Sequence, residues 1–402
     1  MSNPRAVLRA NDTEFHVESW ERIDFTLRYV DGVFSPENPQ LADVHREWGR
    51  CLMVVDETVH ELYGERIRAY YAHHGIALTT VPLTIAETAK SMHTLERIVD
   101  AFAEFGLLRT EPVLVVGGGL TTDVTGFACA SYKRGTPYVR VPTTLIGLID
   151  ASVAMKVAVN HGRHKNRLGA FHASQQVLLD FSFLATLPEA QVRNGLSEMI
   201  KIATVANAGL FDVLEKYGAD LLTTRFGHLG DEAGPELREV AHQATHDAIR
   251  TMLELEHRNL HELDLDRVIA FGHTWSPTLE LTPDTPMLHG HAIAIDMAFS
   301  ATLAQRRGYL GTGDRDRIHR LFSDLGLAVD SPYLTPELLA DATDSILQTR
   351  AGLLRAAVPR PIGTCHFVND IEPGELAETL TEHRAAVAGL PTAAQGVEMW
   401  SR

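Results

Sequence analysis

The chain has 402 residues, a formal charge of −16, 45% hydrophobic and 22% charged residues. That length supports two substantial cores and a two-domain enzyme, and the acidity disfavours a nucleic-acid surface, which needs clustered Lys and Arg. Three cysteines, Cys51, Cys129 and Cys365, stand far apart without CxxC spacing, which argues for a reducing compartment and against a thiolate metal cluster or disulfide framework.

Residues 15–30 alternate moderately and predict an initial hairpin or edge strands, and CLMVVDETV at 51–59 predicts a buried strand followed by a turn. A helix over 60–74 ends near HHG. Ile76 to Pro82 resembles another strand, and 87–105 reads as a helix. Val113 to Val116 form a continuous apolar run that suits the centre of a parallel sheet. Gly117, Gly118 and Gly119 then open the backbone, either for close approach of a nucleotide or phosphate or as a plain tight turn. Thr122 to Lys133 predicts the next helix and Tyr138 to Val141 a further strand. This rhythm indicates a parallel α/β domain, in which ligands favour the carboxyl ends of the strands.

Lys156 sits within an otherwise apolar run, where an unpaired charge is expensive. The following HGRHKNRLGAF reads as a glycine-punctuated polar loop whose Arg163, Lys165 and Arg167 form the best local basic patch. A solvated loop is one reading; a phosphate or polyol loop is the other, and Lys156 favours it. Beyond TLPEAQ, strand signals fade and helices are predicted over 191–208, 235–260, 289–306, 314–324, 335–350 and 374–388. The division falls at 185–192, giving an α/β domain over 1–188 and an all-α, helical domain over 189–402. The cleft between them is the default place for a site.

Three segments of the second domain carry chemistry: NGLSEMIKIA, FGHTWSP and MLHGHA. Glu198 and Lys201, three apart on a predicted helix, share one face; a simple helix salt pair also accounts for them. Glu198, His273 and His289 supply one carboxylate and two imidazoles, enough for a catalytic zinc with open coordination. His291 of HGHA is the alternative ligand to His289.

Taken together, GGGLTTDVTGFACASYKRGTPYVRVPTTLIGLIDASVAMKVAVNHGRHKNRLGAFH resembles the sugar phosphate cyclases, the superfamily of 3-dehydroquinate synthase. NGLSEMIK, GHTWSP and LHGHA resemble its metal-binding segments, in the family's order, and the resemblance spans about residues 50–300. It implies an NAD-binding α/β domain, a helical metal-binding domain and a homodimer. It assigns Glu198, His273 and His289 to a divalent metal, zinc or cobalt. Around NAD it places Gly117, Gly118, Gly119, Asp123, Thr143, Thr144 and Lys165, with Glu87 and Lys90 of IAETAK on the adenosine side and Thr186 and Leu187 on the nicotinamide side. Asp56, in CLMVVDETV, joins this cofactor set. Asp150, Lys156, Asn166 and Lys201 line the substrate in the same reading, with His273 counted among the catalytic groups and Arg163 as a further phosphate candidate.

Departures from the family pattern choose the product. Where dehydroquinate synthases carry a lysine and, fourteen residues later, an arginine for a carboxylate, this chain has Met252 and Asp266, so an uncharged-headed sugar phosphate is implied. GHTWSP likewise has Pro277 where those enzymes place a histidine. Met252, Asp266 and His366 resemble the pattern of 2-epi-5-epi-valiolone synthases. The implied reaction is therefore cyclisation of sedoheptulose 7-phosphate to 2-epi-5-epi-valiolone with loss of phosphate, through transient NAD-dependent oxidation, elimination, reduction and aldol closure, a step towards cyclitol natural products. Desmethyl-4-deoxygadusol synthase and 2-epi-valiolone synthase are the near alternatives, and a metal- and NAD-dependent polyol dehydrogenase the more distant one. Asp266 also reads as a surface acid and His366 as an ordinary strand-turn residue. The start MSNPRAVLRANDTEFHVESW lacks the features of a secretory signal, and no apolar run reaches membrane-spanning length, so a cytoplasmic location with no membrane partner is expected.

Overall fold

The computed structural model describes residues 6–162, 164–229, 233–392 and 396–400. Arg163 lies outside the described residues. Strands β1 (Val7–Ala10) and β2 (Phe15–Glu18) pair as an antiparallel hairpin. The chain continues through β3 (Thr26–Tyr29), α1 (Gln40–His45), β4 (Arg50–Asp56), α2 (Glu57–His73), β5 (Ala77–Leu83), α3 (Met92–Glu104), β6 (Val113–Gly117), α4 (Gly119–Ser131) and β7 (Tyr138–Pro142). After the hairpin β8 (Lys156–His161) and β9 (His164–Phe171), β10 (Gln176–Leu179) completes a six-stranded parallel sheet in the order β3-β10-β7-β6-β4-β5.

Alternation along the central strands decides how helices cover this sheet. Met53 and Val55 point to one face, against Tyr70 of α2, while Leu52 and Val54 point to the other, against Phe102 of α3 and Val124 of α4. With both faces covered, β4 and β6 must be apolar at nearly every position, as their sequences are. At the end of β4, Asp56 caps α2, its carboxylate accepting from the Thr58 and Val59 backbone N–H groups at 2.9 and 3.3 Å.

In the segment HGRHKNRLGAF, His161 ends β8, Gly162 is a turn and His164–Phe171 is strand and not loop: it is β9, paired antiparallel with β8 from Lys156↔Phe171 to Val159↔Leu168. Val157 and Val159 anchor β8 in the core, and Gly162, at φ +58°, lets the chain turn back. Polarity misleads here because β9 is mostly solvent-exposed. Helix 87–105 is likewise divided, into a 3-10 turn over Glu87–Ala89 and α3, which starts at a Ser91 cap.

Helices dominate from residue 189: α5 (Glu189–Ala206), α6 (Ala208–Thr223), α7 (Pro235–Glu256), α8 (Ser276–Leu281), α9 (His289–Arg306), α10 (Thr312–Asp324), α11 (Pro336–Thr349) and α12 (Pro373–Val387), with a short hairpin of β11 (Ala356–Pro359) and β12 (Cys365–Val368) that fading strand signals do not announce. Helix α6 is a second surprise: Asn207 ends α5 and immediately caps α6 through the Leu210 N–H at 3.0 Å. Residues 290–304 of α9 are all buried, making it the central helix. Two glycines let its neighbours close in. A Cβ on Gly195 of α5 would lie 2.4 Å from the Leu145 side chain, and one on Gly290 of α9 would lie 2.7 Å from the Asn194 backbone. Those contacts bring α5, α9 and the segment after β7 together. No helix among the described residues is long and apolar enough to cross a membrane.

Candidate active site

Helix α5 carries Glu198, the turn before α8 carries His273, and the first residue of α9 is His289. One ligand atom from each lies within 4.8 Å of the others. His289 Nε2 is 3.0 Å and His273 Nε2 3.8 Å from Glu198 Oε1. Each imidazole is oriented from behind through Nδ1: His289 by Glu280 Oε2 at 2.9 Å, His273 by the Phe271 carbonyl at 3.1 Å. Fixing Nδ1 as a protonated nitrogen turns both Nε2 atoms towards Glu198, and a carboxylate–histidine pair so arranged presents a metal ligand once Nε2 gives up any proton of its own. His291 is not available: its Nε2 faces Glu398 at 2.9 Å and its Nδ1 accepts from the Ala328 N–H at 3.1 Å.

From this trio a line of polar contacts reaches the glycine turn. Glu280 holds Lys165 at 2.6 Å; Lys165 reaches Glu87 at 3.3 Å; Asn160 joins Glu87 at 2.8 Å and accepts from the Asn166 N–H at 2.9 Å. Asn166, at φ +52°, turns its side-chain oxygen to Lys90 at 2.6 Å, and Lys90 also holds Asp123 of α4 at 2.6 Å. On the other side Lys201 bridges Glu198 at 2.5 Å and Asp150 at 2.7 Å. Five carboxylates therefore share three lysines, an excess of two negative charges that a divalent cation would balance. The donor set and the charge both fit such an ion.

The glycine turn closes the carboxyl end of β6 and opens α4, where free backbone N–H groups favour an anion. Its glycines also answer to packing. A Cβ on Gly118 would stand 3.0 Å from Thr144, and one on Gly119 would stand 3.3 Å from Ala151. Thr143 donates its N–H to the Gly117 carbonyl at 3.0 Å, and Thr144 accepts from Gly147 at 3.1 Å. The turns after β6 and β7 thus form one floor beside the π-helical turn Gly147–Ala151 that bears Asp150. Thr186 bonds Tyr63 of α2 at 2.7 Å, and the Leu187 carbonyl accepts from Arg225 at 3.0 Å.

Four residues escape the sequence reading. Glu280 and Asn160 complete the line just described, and Glu256 and Glu262 hold Lys156 at 3.0 and 2.9 Å. The signal for the last two was present: a lysine in an apolar run requires buried counter-charges. Their attraction outweighs burial and raises the Lys156 pKa. Three other predicted positions have partners of their own. Met252 packs in the main apolar core, 1% exposed, one turn before Glu256. Asp266 is exposed and pairs with Arg355. His366 packs on Tyr309, ring centres 4.5 Å apart, beyond the C-terminal end of α9. Since His289 opens that 18-residue helix, the two ends are roughly 27 Å apart. The structure does not bring His366 to the trio, while Arg355, the partner of Asp266, accepts through its carbonyl from Arg350 at 3.1 Å, and Arg350 also reaches the His273 carbonyl at 3.4 Å.

Charge also sets how the trio responds to pH. Burial opposes a proton on His289, but Glu280 and the bond to Glu198 outweigh it and raise its pKa to about 9. His273, with burial dominant, is pushed down to about 3. A metal at His289 displaces that proton, so cobalt affinity is expected to rise about tenfold per pH unit up to about pH 9 and then to level. Stability of the metal-free fold runs the other way: the His289 proton stabilises fully below its unfolded value of about 6.5, and its contribution is lost as pH rises through 9. Cobalt titrations at several pH values check the slope; a flat profile contradicts it.

A family model described as 3-dehydroquinate synthase N-terminal matches residues 80–194, and one described as 3-dehydroquinate synthase C-terminal matches 195–346. Demethyl-4-deoxygadusol synthase of Trichormus variabilis is 57% identical over 400 residues, covering 100% of this chain and 97% of its own. The 2-epi-5-epi-valiolone synthase of an Actinoplanes species is 43% identical over 382 residues, 92% of this chain and 95% of its own. A solved 2-epi-5-epi-valiolone synthase from Streptomyces hygroscopicus subsp. jinggangensis, with NAD+ and Zn2+ bound, superposes with a TM-score of 0.86 at 39% identity, covering 92% of this chain and 99% of that one. With the two family models meeting end to end at residue 194 and a relative more than half identical along its whole length, the chain belongs to the 3-dehydroquinate synthase family and is a sugar phosphate cyclase in the broad sense.

Proposed function

We propose that this chain converts sedoheptulose 7-phosphate into demethyl-4-deoxygadusol with release of inorganic phosphate, using NAD and one divalent cation, zinc or cobalt. The observation that carries the choice of product is the 57% identity along the whole chain to the demethyl-4-deoxygadusol synthase, against 43% to the 2-epi-5-epi-valiolone synthase. It displaces 2-epi-5-epi-valiolone as the expected product. That expectation leaned on the triplet Met252, Asp266 and His366.

When bound, NAD would supply a transient hydride acceptor and the cation a Lewis acid, so that a sugar alcohol can be oxidised, lose phosphate, be reduced and close its ring by aldol addition, with loss of one further water to reach demethyl-4-deoxygadusol. Glu198, His273 and His289 would hold the cation and leave positions for sugar oxygens. Lys201, fixed between Glu198 and Asp150, would orient those oxygens. Burial pushes the Asp150 carboxyl up to about 6 against the pull of Lys201, which suits it to hold or release a proton near neutral pH. Lys165, Asn166 and Lys156 are the groups offered to the phosphate. Lys90, Asp123, Glu87 and the glycine turn would face the dinucleotide.

The test is incubation with sedoheptulose 7-phosphate, catalytic NAD and cobalt, followed by phosphate assay, absorbance of NADH and product NMR. Phosphate release without net NADH, and a conjugated enolic ring one water lighter than a valiolone, are expected. A valiolone isomer would overturn the product, and accumulating NADH with a ketone would overturn the cyclase reading in favour of a polyol dehydrogenase.

A further inference from the structure

Asp296 is a fully buried acid that the chemistry above does not use. Its Oδ2 accepts three successive backbone N–H groups, from Thr274 at 3.0 Å, Trp275 at 2.6 Å and Ser276 at 2.8 Å, and its Oδ1 accepts from Ser300 at 3.2 Å. The three donors immediately follow His273. Asp296 itself lies seven residues after His289 on α9, two turns on and on the same face of that helix. One carboxylate thus ties the turn bearing one imidazole to the helix bearing the other.

Neighbouring contacts make the tie close. A Cβ on Gly272 would stand 2.6 Å from the Met297 side chain, so the turn lies directly on α9 beside Asp296. Ser276 Oγ donates to the Gly272 carbonyl at 2.6 Å, and Trp275 Nε1 to Thr343 at 3.1 Å. A buried charge is costly unless its lone pairs are filled, and a cheaper apolar residue would pack at this point of α9. What an apolar residue cannot do is hold three consecutive N–H groups in one place.

We propose that Asp296 is a positioning residue for the metal trio: by clamping residues 274–276 to α9 it fixes the spacing of His273 and His289. This rests on the metal reading above. The experiment compares the full-length wild type with Asp296→Ala and Asp296→Asn, reading cobalt affinity, the visible cobalt spectrum and thermal unfolding. Wild type failing to bind cobalt would strike the metal reading itself. With wild type binding, Asp296→Ala is expected to bind cobalt at least about tenfold more weakly with a shifted spectrum, the size seen when groups supporting metal ligands are removed. Asp296→Asn keeps one acceptor oxygen but loses the charge, and is expected to fall between the two. A folded Asp296→Ala with wild-type affinity and spectrum, even if less stable, overturns the inference. Should the alanine variant fail to fold, Asp296→Asn decides: weaker binding with a shifted spectrum supports the clamp, and wild-type values overturn it.

Discussion

Glu198→Ala is expected to abolish tight cobalt or zinc binding and, in the reaction proposed above, to lower phosphate release by about a thousandfold or more. A Lewis acid contributes several kcal/mol of charge stabilisation, and about 1.4 kcal/mol is a factor of ten in rate. Glu198 is the only anion of the trio and the point on which both Nε2 atoms converge, so its loss leaves two imidazoles and no anionic ligand to hold the ion. The pKa of Glu198 is held well below the ordinary carboxylate range: burial opposes ionisation, but Lys201 and the two histidines outweigh it. Removing it also frees Lys201 to bind Asp150 alone. Metal content and phosphate release, measured on the same folded preparation, check this. A variant that keeps stoichiometric metal with normal turnover would show that the trio is not the metal site.

The contrast with Asp266 and His366 explains what the sequence could disclose. Glu198, His273 and His289 were legible through the resemblance of NGLSEMIK, GHTWSP and LHGHA to metal-binding segments, since spacing alone left His291 as an alternative to His289. The α/β half was legible because strands buried on both faces must read as apolar runs, as β4 and β6 do. The partners of Asp266 and His366, Arg355 and Tyr309, lie 89 and 57 residues away in the chain, a pairing that no local pattern encodes. Glu280 escaped for the same reason, since its partners lie 115 residues upstream at Lys165 and nine downstream at His289. The hairpin β8–β9 failed differently: its exposed strand has the composition of a loop, and only pairing with Val157 and Val159 makes it a strand.

Lys201→Met should cost the metal-free protein about 3–5 kcal/mol, the range for breaking a buried ion pair by removing one partner. Lys201 is 3% exposed, and methionine replaces most of its volume, so the loss is one of charge. Glu198 and Asp150 then face each other's field without the cation they shared at 2.5 and 2.7 Å. A bound metal would neutralise Glu198 but not Asp150, so the deficit should shrink when cobalt is added and persist in part. Adding Asp150→Asn removes the remaining stranded charge, and the double variant is expected to be more stable than Lys201→Met alone; neighbours sharing one ion pair are not additive. The pH sign follows from Asp150, whose folded pKa already lies above its unfolded value and rises further without Lys201. Its ionised form is the costly one, so the deficit of Lys201→Met grows as pH rises through that folded value and narrows as the carboxyl takes up its proton. Urea unfolding of the four proteins, with and without cobalt at two pH values, measures every term. Equal losses in metal-free and cobalt-loaded protein, together with additive single effects, would show that Lys201 merely packs in the core and does not balance the two carboxylates beside the metal.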